Sequence, residues 1–546
     1  PCRCDGGLVE DGFCCPDGPA VEACSPDPSP CDGDSDCVEV TACPVIADAD
    51  DAGLRFALTA DVTADGTCFF VAAPNVTIDL NFHALTYAAG PGDLHAAVAL
   101  LPSWEPSPAS YPDADGLAID QDGAGGGAIR DGAIVDGAGG GERNHAIYFQ
   151  ESSGLEIANV DVQVSSDRSM PIRGNLGGDV VVRHSRFTND SGGLDDADRI
   201  AGHGSIFLDG FDDATIHDNR IGGTEGNNGI VLKSDNGVEI YNNLIRHGGE
   251  LVNSYGIWLR NAGKAAIRNN VIAPVTGRGI HLDRTVAATS ADKSVVRDNL
   301  VVVHEEITDG LGSEMNAAGI KLSGHTDECR VHRNRVIGLA ADPASTSGLF
   351  AAMAPDRENL FSENSVAVFT ADLDNLSEGY HGFAKGITIE GDEAGEGTRF
   401  EDNEVASNNI AISFSGSTGS SSGAVLMSTR VSRVDEEALE AAAEEAFDVF
   451  GAHRFLWLAP DDRADILEQI ALLAEPGVLT SAFHTFFARD WVNLGSLEDN
   501  SGLFIDGRTD DPLVAFDDLL EAQSFSLGVH IGVGWLVAVD VGVAAD

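Results

Sequence analysis

Short runs of alternating apolar and polar residues fill the middle of the chain. Aligned, they read IFLDGFDDATIHDNRI (206–221), GIVLKSDNGVEIYNNLI (229–245), GIWLRNAGKAAIRNNVI (256–272) and GIHLDRTVAATSADKSVVRDNLV (279–301). GIKLSGHTDECRVHRNRVI (319–337) and GITIEGDEAGEGTRFEDNEV (386–405) continue the series. The skeleton is Gly-Ile-x-Leu, a polar turn, a short alternating strand, then Asn followed by x-apolar. Asn219, Asn243, Asn270, Asn299, Asn334, Asn364 and Asn403 occupy the same place. A period of two predicts half-buried strands. Recurrence at the spacing of one solenoid coil predicts a stack, because one coil cannot bury its apolar face alone. In that stack the Ile and Leu point inward onto their counterparts in the next coil. The Asn suits a tight bend where left-handed geometry is tolerated and the amide can hydrogen-bond along the stack. The Gly before each Ile suits the opposite corner.

The pattern changes near residue 424. DEEALEAAAEEAFDVFG (435–451) sets Leu439, Ala443, Ala446 and Phe450 on one helical stripe, with Asp435 to cap it and Gly451 to end it. DDRADILEQIALLAEPG (461–477) repeats this with Ile466, Ile470 and Leu473, closed by Pro476 and Gly477. The last segment is apolar at every odd position from Phe525 to Val543. A straight strand of that length would span about 60 Å. Either the Gly532–Gly534 stretch breaks it into a hairpin packed on the helices, or it pairs with the edge of a second copy. His530, Asp540 and the alternation mark it as strand, not membrane span.

Eight cysteines crowd the start: Cys2, Cys4, Cys14, Cys15, Cys24, Cys31, Cys37 and Cys43; Cys68 and Cys329 follow. This reads as a disulfide-stapled module in an oxidising compartment, with a metal site as the other reading. No CxxC occurs, and no His lies among those eight. The pairing is open; Cys43 with Cys68 would cross the module boundary, and Cys329 would be a free buried thiol. Position 1 is Pro, as expected of a chain whose signal peptide has been removed.

The repeat skeleton resembles the right-handed parallel β-helix superfamily. That superfamily holds pectate lyases, chondroitinase-B-like lyases, carbohydrate-modifying epimerases and non-enzymatic surface proteins. CFFVAAPNVTIDLNFHALTYAAG (68–90) is similar to the first turn of its secreted bacterial members. The resemblance implies an all-β chain: a Cys-rich module over 1–44, a right-handed parallel β-helix over 45–430, and mixed helices and strand over 431–546. It fixes fold far better than function, since one scaffold hosts many activities.

Charge narrows the partners. With 88 acidic against 32 basic residues the formal net charge is −56. Such a surface repels nucleic acid and anionic lipid. CDGDSDCVE sets Asp32, Asp34, Asp36 and Glu39 at alternating spacing, which could gather oxygen ligands around calcium; a solvated acidic turn is the plain alternative. Lys233 and Arg260 fall at matching repeat positions. The resemblance to chondroitinase-B-like lyases implies a Lys that abstracts the proton beside a uronate carboxylate and an Arg that protonates the leaving oxygen. Those lyases carry a pair of Glu upstream, where this chain has only Glu225, and the pectate-lyase cluster of Asp with Arg-x-Pro-x-x-Arg is absent. The expectation is an extracellular or cell-surface β-helix without its own catalysis, requiring no cofactor, associating with copies of itself through the C-terminal strand. A polysaccharide lyase or epimerase acting on acidic glycans, and a glycan-binding module, are the alternatives.

Overall fold

In the computed structural model the Ile and Leu of each Gly-Ile-x-Leu are buried, and the strands that carry them pair in parallel with no offset. Ile280 lies opposite Ile320 and Leu282 opposite Leu322; Leu349 then lies opposite Ile387. All six are less than one-twentieth exposed. The architecture is therefore a parallel β-helix. The structure describes residues 29–46, 49–90, 96–100, 126–137, 144–191, 203–223, 228–233, 236–247, 254–261, 263–275, 277–284, 293–304, 317–340, 346–353, 358–370, 384–390, 398–407, 410–415, 425–427 and 430–432. It also describes short strands at 3–4, 7–8, 504–506, 530–531 and 534–535. The helices expected over 435–451 and 461–477 lie outside these residues.

The described coils fall into two compact units, one ending at His247 and one beginning at Ser254. From Ile172 onward each described coil has a first strand and then a second and third strand meeting at a corner; in the two coils before it, Ala128–Asp136 and Glu156–Val164 run through that corner as single strands. In the first unit Gly204–Asp212, Thr215–His217 and Arg220–Gly223 form one coil, followed by Asn228–Lys233, Val238–Tyr241 and Leu244–His247. In the second unit Gly277–Arg284, Val295–Arg297 and Leu300–His304 are followed by Ala317–Gly324, Arg330–His332 and Arg335–Ala340. Among the described residues no helix is long and apolar enough to cross a membrane.

The recurrent Asn builds a buried ladder. In the second unit the Asn299 Oδ1 accepts from the Asn270 backbone N–H at 3.0 Å and from its side-chain amide at 3.0 Å. Asn299 in turn donates its backbone N–H to Asn334 Oδ1 at 3.1 Å and its amide to Ile267 O at 3.1 Å. Asn334, Asn364 and Asn403 repeat the motif. All are at most 1% exposed, so these corner amides find their partners inside the protein.

Two expectations about the corners need correcting. The residue in the left-handed region is not the ladder Asn but the one before it: Asp218, Asn242, Asn269, Asp298, Arg333, Glu363 and Asp402 all have φ between 52° and 56°. The Asn is thereby freed to aim its amide along the stack. The Gly of Gly-Ile-x-Leu is not a positive-φ corner either. A Cβ on Gly279 would strike the Val301 side chain and the Gly319 carbonyl; on Gly319 it would strike Val336 and the Gly348 carbonyl. Glycine is required because first and third strands of a coil approach so closely.

At the N-terminal side Cys31 pairs with Cys37 and Cys43 with Cys68, the bridge across the module boundary; Cys329 is free and buried. Burial pushes the Cys329 thiol up to about 11, which leaves it protonated and unreactive. In the terminal stripe His530–Ile531 pairs antiparallel with Gly534–Trp535, so the chain folds back at the Gly-flanked point the sequence offered.

Replacing Asn299 with Ala leaves buried amide and carbonyl groups of two neighbouring coils without partners. It should cost at least about 2 kcal/mol in urea denaturation. The exposed neighbour Glu328→Gln should cost about nothing. A loss below about 0.5 kcal/mol for Asn299→Ala would remove the ladder's structural role.

Candidate functional site

The x of Gly-Ile-x-Leu points away from the core, and its successive occupants form a column. In the second unit that column reads Trp258, His281, Lys321, Phe350 and Thr388, paired in register. The column two residues on holds Arg260, Asp283 and Ser323. Tyr255 joins Trp258 on the same face.

Three rings there are nearly parallel. Tyr255 and Trp258 have centroids 4.4 Å apart at 14°; Trp258 and His281 are 6.3 Å apart at 4°. Cations flank them. The Arg278 guanidinium lies 5.3 Å from the Tyr255 ring centre, and that of Arg260 lies 5.6 Å from Trp258. The Lys321 ammonium sits 4.0 Å over Phe350. Such contacts are worth about 0.5–2 kcal/mol each and fix the ring planes. The rings are buried, Trp258 at 4% and His281 at 3%, while Arg260, Lys321, Asp283 and Ser323 are half-buried. The Trp258 indole N–H is buried and has no hydrogen-bond acceptor.

A directed chain of hydrogen bonds runs beside the rings. Arg278 can only donate, so its Nη1, 3.4 Å from His281 Nδ1, leaves the imidazole proton on Nε2. Nε2–H then donates to Ser323 Oγ at 2.8 Å, and the Ser323 hydroxyl donates to Asp283 Oδ1 at 3.0 Å. Burial, helped by the charges of Arg278 and Lys321, holds His281 well below its ordinary value. The direction matters: His281 gives a proton to the serine oxygen and does not take one, the reverse of a serine nucleophile and its base. The network fixes the His281 ring and the Ser323 hydroxyl in one orientation.

The residues singled out from sequence lie as follows. Lys233 ends the strand Asn228–Lys233 in the first unit, and its ammonium is held by Asp209 at 2.7 Å. Arg260 belongs to the second unit, opposite Asp283 and over the Trp258 ring. Glu225 is outside the described residues. Asp32, Asp34, Asp36 and Glu39 are all exposed; the Asp36 backbone N–H donates to Asp34 Oδ1 at 3.0 Å, which makes this a capped turn. Among the described residues, a single trio of His, Cys or acidic side chains brings three ligand atoms within 4.8 Å of one another. It is His184, His217 and Asp218, in the first unit. Burial acts to raise Asp218, but its contacts with His184, His217 and Asn242 outweigh that and hold the carboxyl well below the usual range.

Neither the rings nor this trio was singled out from sequence. The signal was present in the repeat itself: YGIWLR, GIHLD and GIKLS place an aromatic, an imidazole and an amine at one repeat position.

His281 stays neutral in the folded chain, whereas the unfolded chain protonates it below about pH 6.5. The unfolded state then binds more protons, so stability falls as pH drops through 6.5. His281→Gln should lose stability less steeply between pH 7 and 5, by up to about 1.4 kcal/mol per unit. Urea midpoints across that range measure it; parallel losses in both proteins would show that His281 is not held neutral.

Residues 198–424 match the family model described as the right handed beta helix region. No curated protein matches the chain. Among solved structures, DFA-IIIase from Arthrobacter chlorophenolicus A6 in complex with DFA-III is similar at 11% identity and a TM-score of 0.40, over 67% of this chain and 82% of that one. The surface protein and adhesin PfbA of Streptococcus pneumoniae is similar at 12% identity and a TM-score of 0.33, over 68% of this chain and 91% of that one. Neither likeness is close enough to say what this chain does. By its coils the chain is a parallel β-helix, and over residues 198–424 it matches the right handed beta helix region.

Proposed function

We propose that the protein is an extracellular β-helix that works by binding, and that the ring platform of its second unit takes an acidic sugar of a polysaccharide. The observation that carries this is the Trp258 indole N–H, buried and without an acceptor, on one of three nearly parallel rings. Buried donors are costly unless satisfied, and a sugar hydroxyl or ring oxygen supplies what is missing. Ring faces suit the C–H faces of a sugar, and Arg260 and Lys321 at the half-buried rim suit a carboxylate. In a chain with 88 acidic residues, a cationic rim marks an anionic ligand. Because the rings lie deeper than the cations, the ligand's charge meets protein first. Screening of the surrounding acidic surface makes salt or calcium a helper of encounter.

Binding without bond cleavage is favoured by two features. The hydrogen bonds through His281 and Ser323 run toward Asp283, and the Lys233 ammonium is engaged by a carboxylate. Phe504–Asp506 pairs antiparallel with Ile410–Ser415 and so becomes the last strand of the first-strand sheet in the second unit. The two disulfides fit an oxidising, extracellular compartment.

A glycan array with acidic and neutral polysaccharides, followed by tryptophan fluorescence titration, tests the reading. Uronate-containing glycans should bind, and Trp258→Phe, which keeps an aromatic ring but removes the N–H, should weaken binding about 5- to 30-fold. Array silence, or equal affinity in Trp258→Phe, would contradict it. Unsaturated product absorbing in the ultraviolet would restore the lyase reading in its place.

A further inference from the structure

The corner between second and third strands places a second set of chemical groups in the first unit. Its left-handed residue is His184 in one coil, with φ 50°, and Asp218 in the next, with φ 55°. The outward residue just before it is Arg183 in the first of these coils, His217 in the next and Tyr241 in the third, all in register. Parallel strands lie about 4.8 Å apart, so the stack brings one imidazole over another with a carboxylate beside both.

The geometry of this corner is that of a ligand set. His217 Nδ1 is 2.6 Å from Asp218 Oδ2, and His184 Nε2 is 3.6 Å from the same oxygen. The two imidazoles stand edge to face at 77°, with centroids 5.7 Å apart, so their nitrogens converge from different directions. Tyr241 stacks on His217 at 4.7 Å and 8°, which fixes the plane of that ring. The three side chains are between 15% and 21% exposed, open enough for an ion to enter and covered enough to hold it.

We propose that His184, His217 and Asp218 bind a divalent transition ion, zinc(II) above all. Two imidazoles and one carboxylate are a zinc ligand set, and three protein ligands leave a fourth position for water. Calcium and magnesium prefer all-oxygen sites and are poor candidates for this one.

The proton inventory closes. Arg183 Nη1 donates to His184 Nδ1 at 2.8 Å, so His184 carries its proton on Nε2, facing Asp218. His217 donates from Nδ1 to Asp218 at 2.6 Å. The ion bonds to His184 Nε2, His217 Nδ1 and Asp218 Oδ2. Each neutral imidazole shifts its proton to its other nitrogen, and no proton is lost or gained. For His184 that other nitrogen is the one Arg183 addresses, so Nη1 must withdraw. Arg183 remains anchored through Nε to Glu156 Oε1 at 2.6 Å. Arg183 is thus a competitor of the metal, a relation that a merely structural cluster would not have.

Calorimetric titration of the oxidised full chain with zinc chloride, and the visible absorption of its cobalt(II) form, test this. One equivalent should bind with a cobalt spectrum of nitrogen and oxygen ligation. His217→Ala and Asp218→Asn should each weaken that equivalent by at least about tenfold. Asp218→Asn is safe for the fold, because Asn242 holds the same corner position at φ 56°. Arg183→Met should tighten zinc binding. Absence of saturable uptake by the wild-type chain, or unchanged affinity in both His217→Ala and Asp218→Asn, would overturn the site.

Discussion

A side-chain amide that bonds to the coil beside it is the constraint on which the rest depends. Each ladder Asn accepts from the backbone and amide of one neighbour and donates to a carbonyl and to the next Asn, in a site closed to water. Displacing one coil by a single residue would unpair two groups at every corner and turn each apolar side chain outward. Register is therefore set by polar groups, while hydrophobic burial supplies most of the favourable free energy. The same constraint decides what the coil surface presents. Once register is fixed, positions that recur along the sequence become columns, and whatever chemistry a column carries is presented as a row.

The columns explain how a strongly acidic chain presents local sites of other character. Trp258, His281, Lys321 and Phe350 share a row because each is the x of its own coil's first strand. His184 and Asp218 share another because each precedes the ladder position of its coil. Arg278 and Arg183, obligate donors, set the tautomers of His281 and His184. At His281 the fixed tautomer makes the imidazole a donor to Ser323, whereas at His184 it places the proton on the nitrogen that faces Asp218.

Much of this was legible in the chain before any coordinates. The coil, its parallel stacking and the inward Ile and Leu all follow from pattern and spacing, whereas the cysteine pairing stayed open in the sequence and the structure joins Cys43 to Cys68. The roles of Gly and Asn were only half legible. Positive φ and hydrogen-bonding capacity are both properties of Asn, and sequence alone cannot say which one a corner uses; here Asp298 or Arg333 takes the φ and Asn299 or Asn334 the bonds. Gly279 looked like a turn because turns are glycine's commonest reason, whereas Val301 and the Gly319 carbonyl are what exclude a side chain. The ring platform is hidden in the chain's total, which holds only five Trp and six Tyr. Read down the repeat position, they are concentrated. Lys233 drew notice for its type, and the structure shows the carboxylate of Asp209 that engages it.

The ladder is the central claim, and hydrogen exchange at its own amides tests it most directly. The backbone N–H groups of Asn270, Asn299, Asn334 and Asn364 sit at corners, where exposed turns ordinarily exchange fast. Each donates here to the Oδ1 of the next Asn. Residue-resolved exchange should find them as protected as the buried strand amides of Ile280 and Ile320. Exchange at the rate of an exposed turn, with those strand amides still protected, would contradict the account.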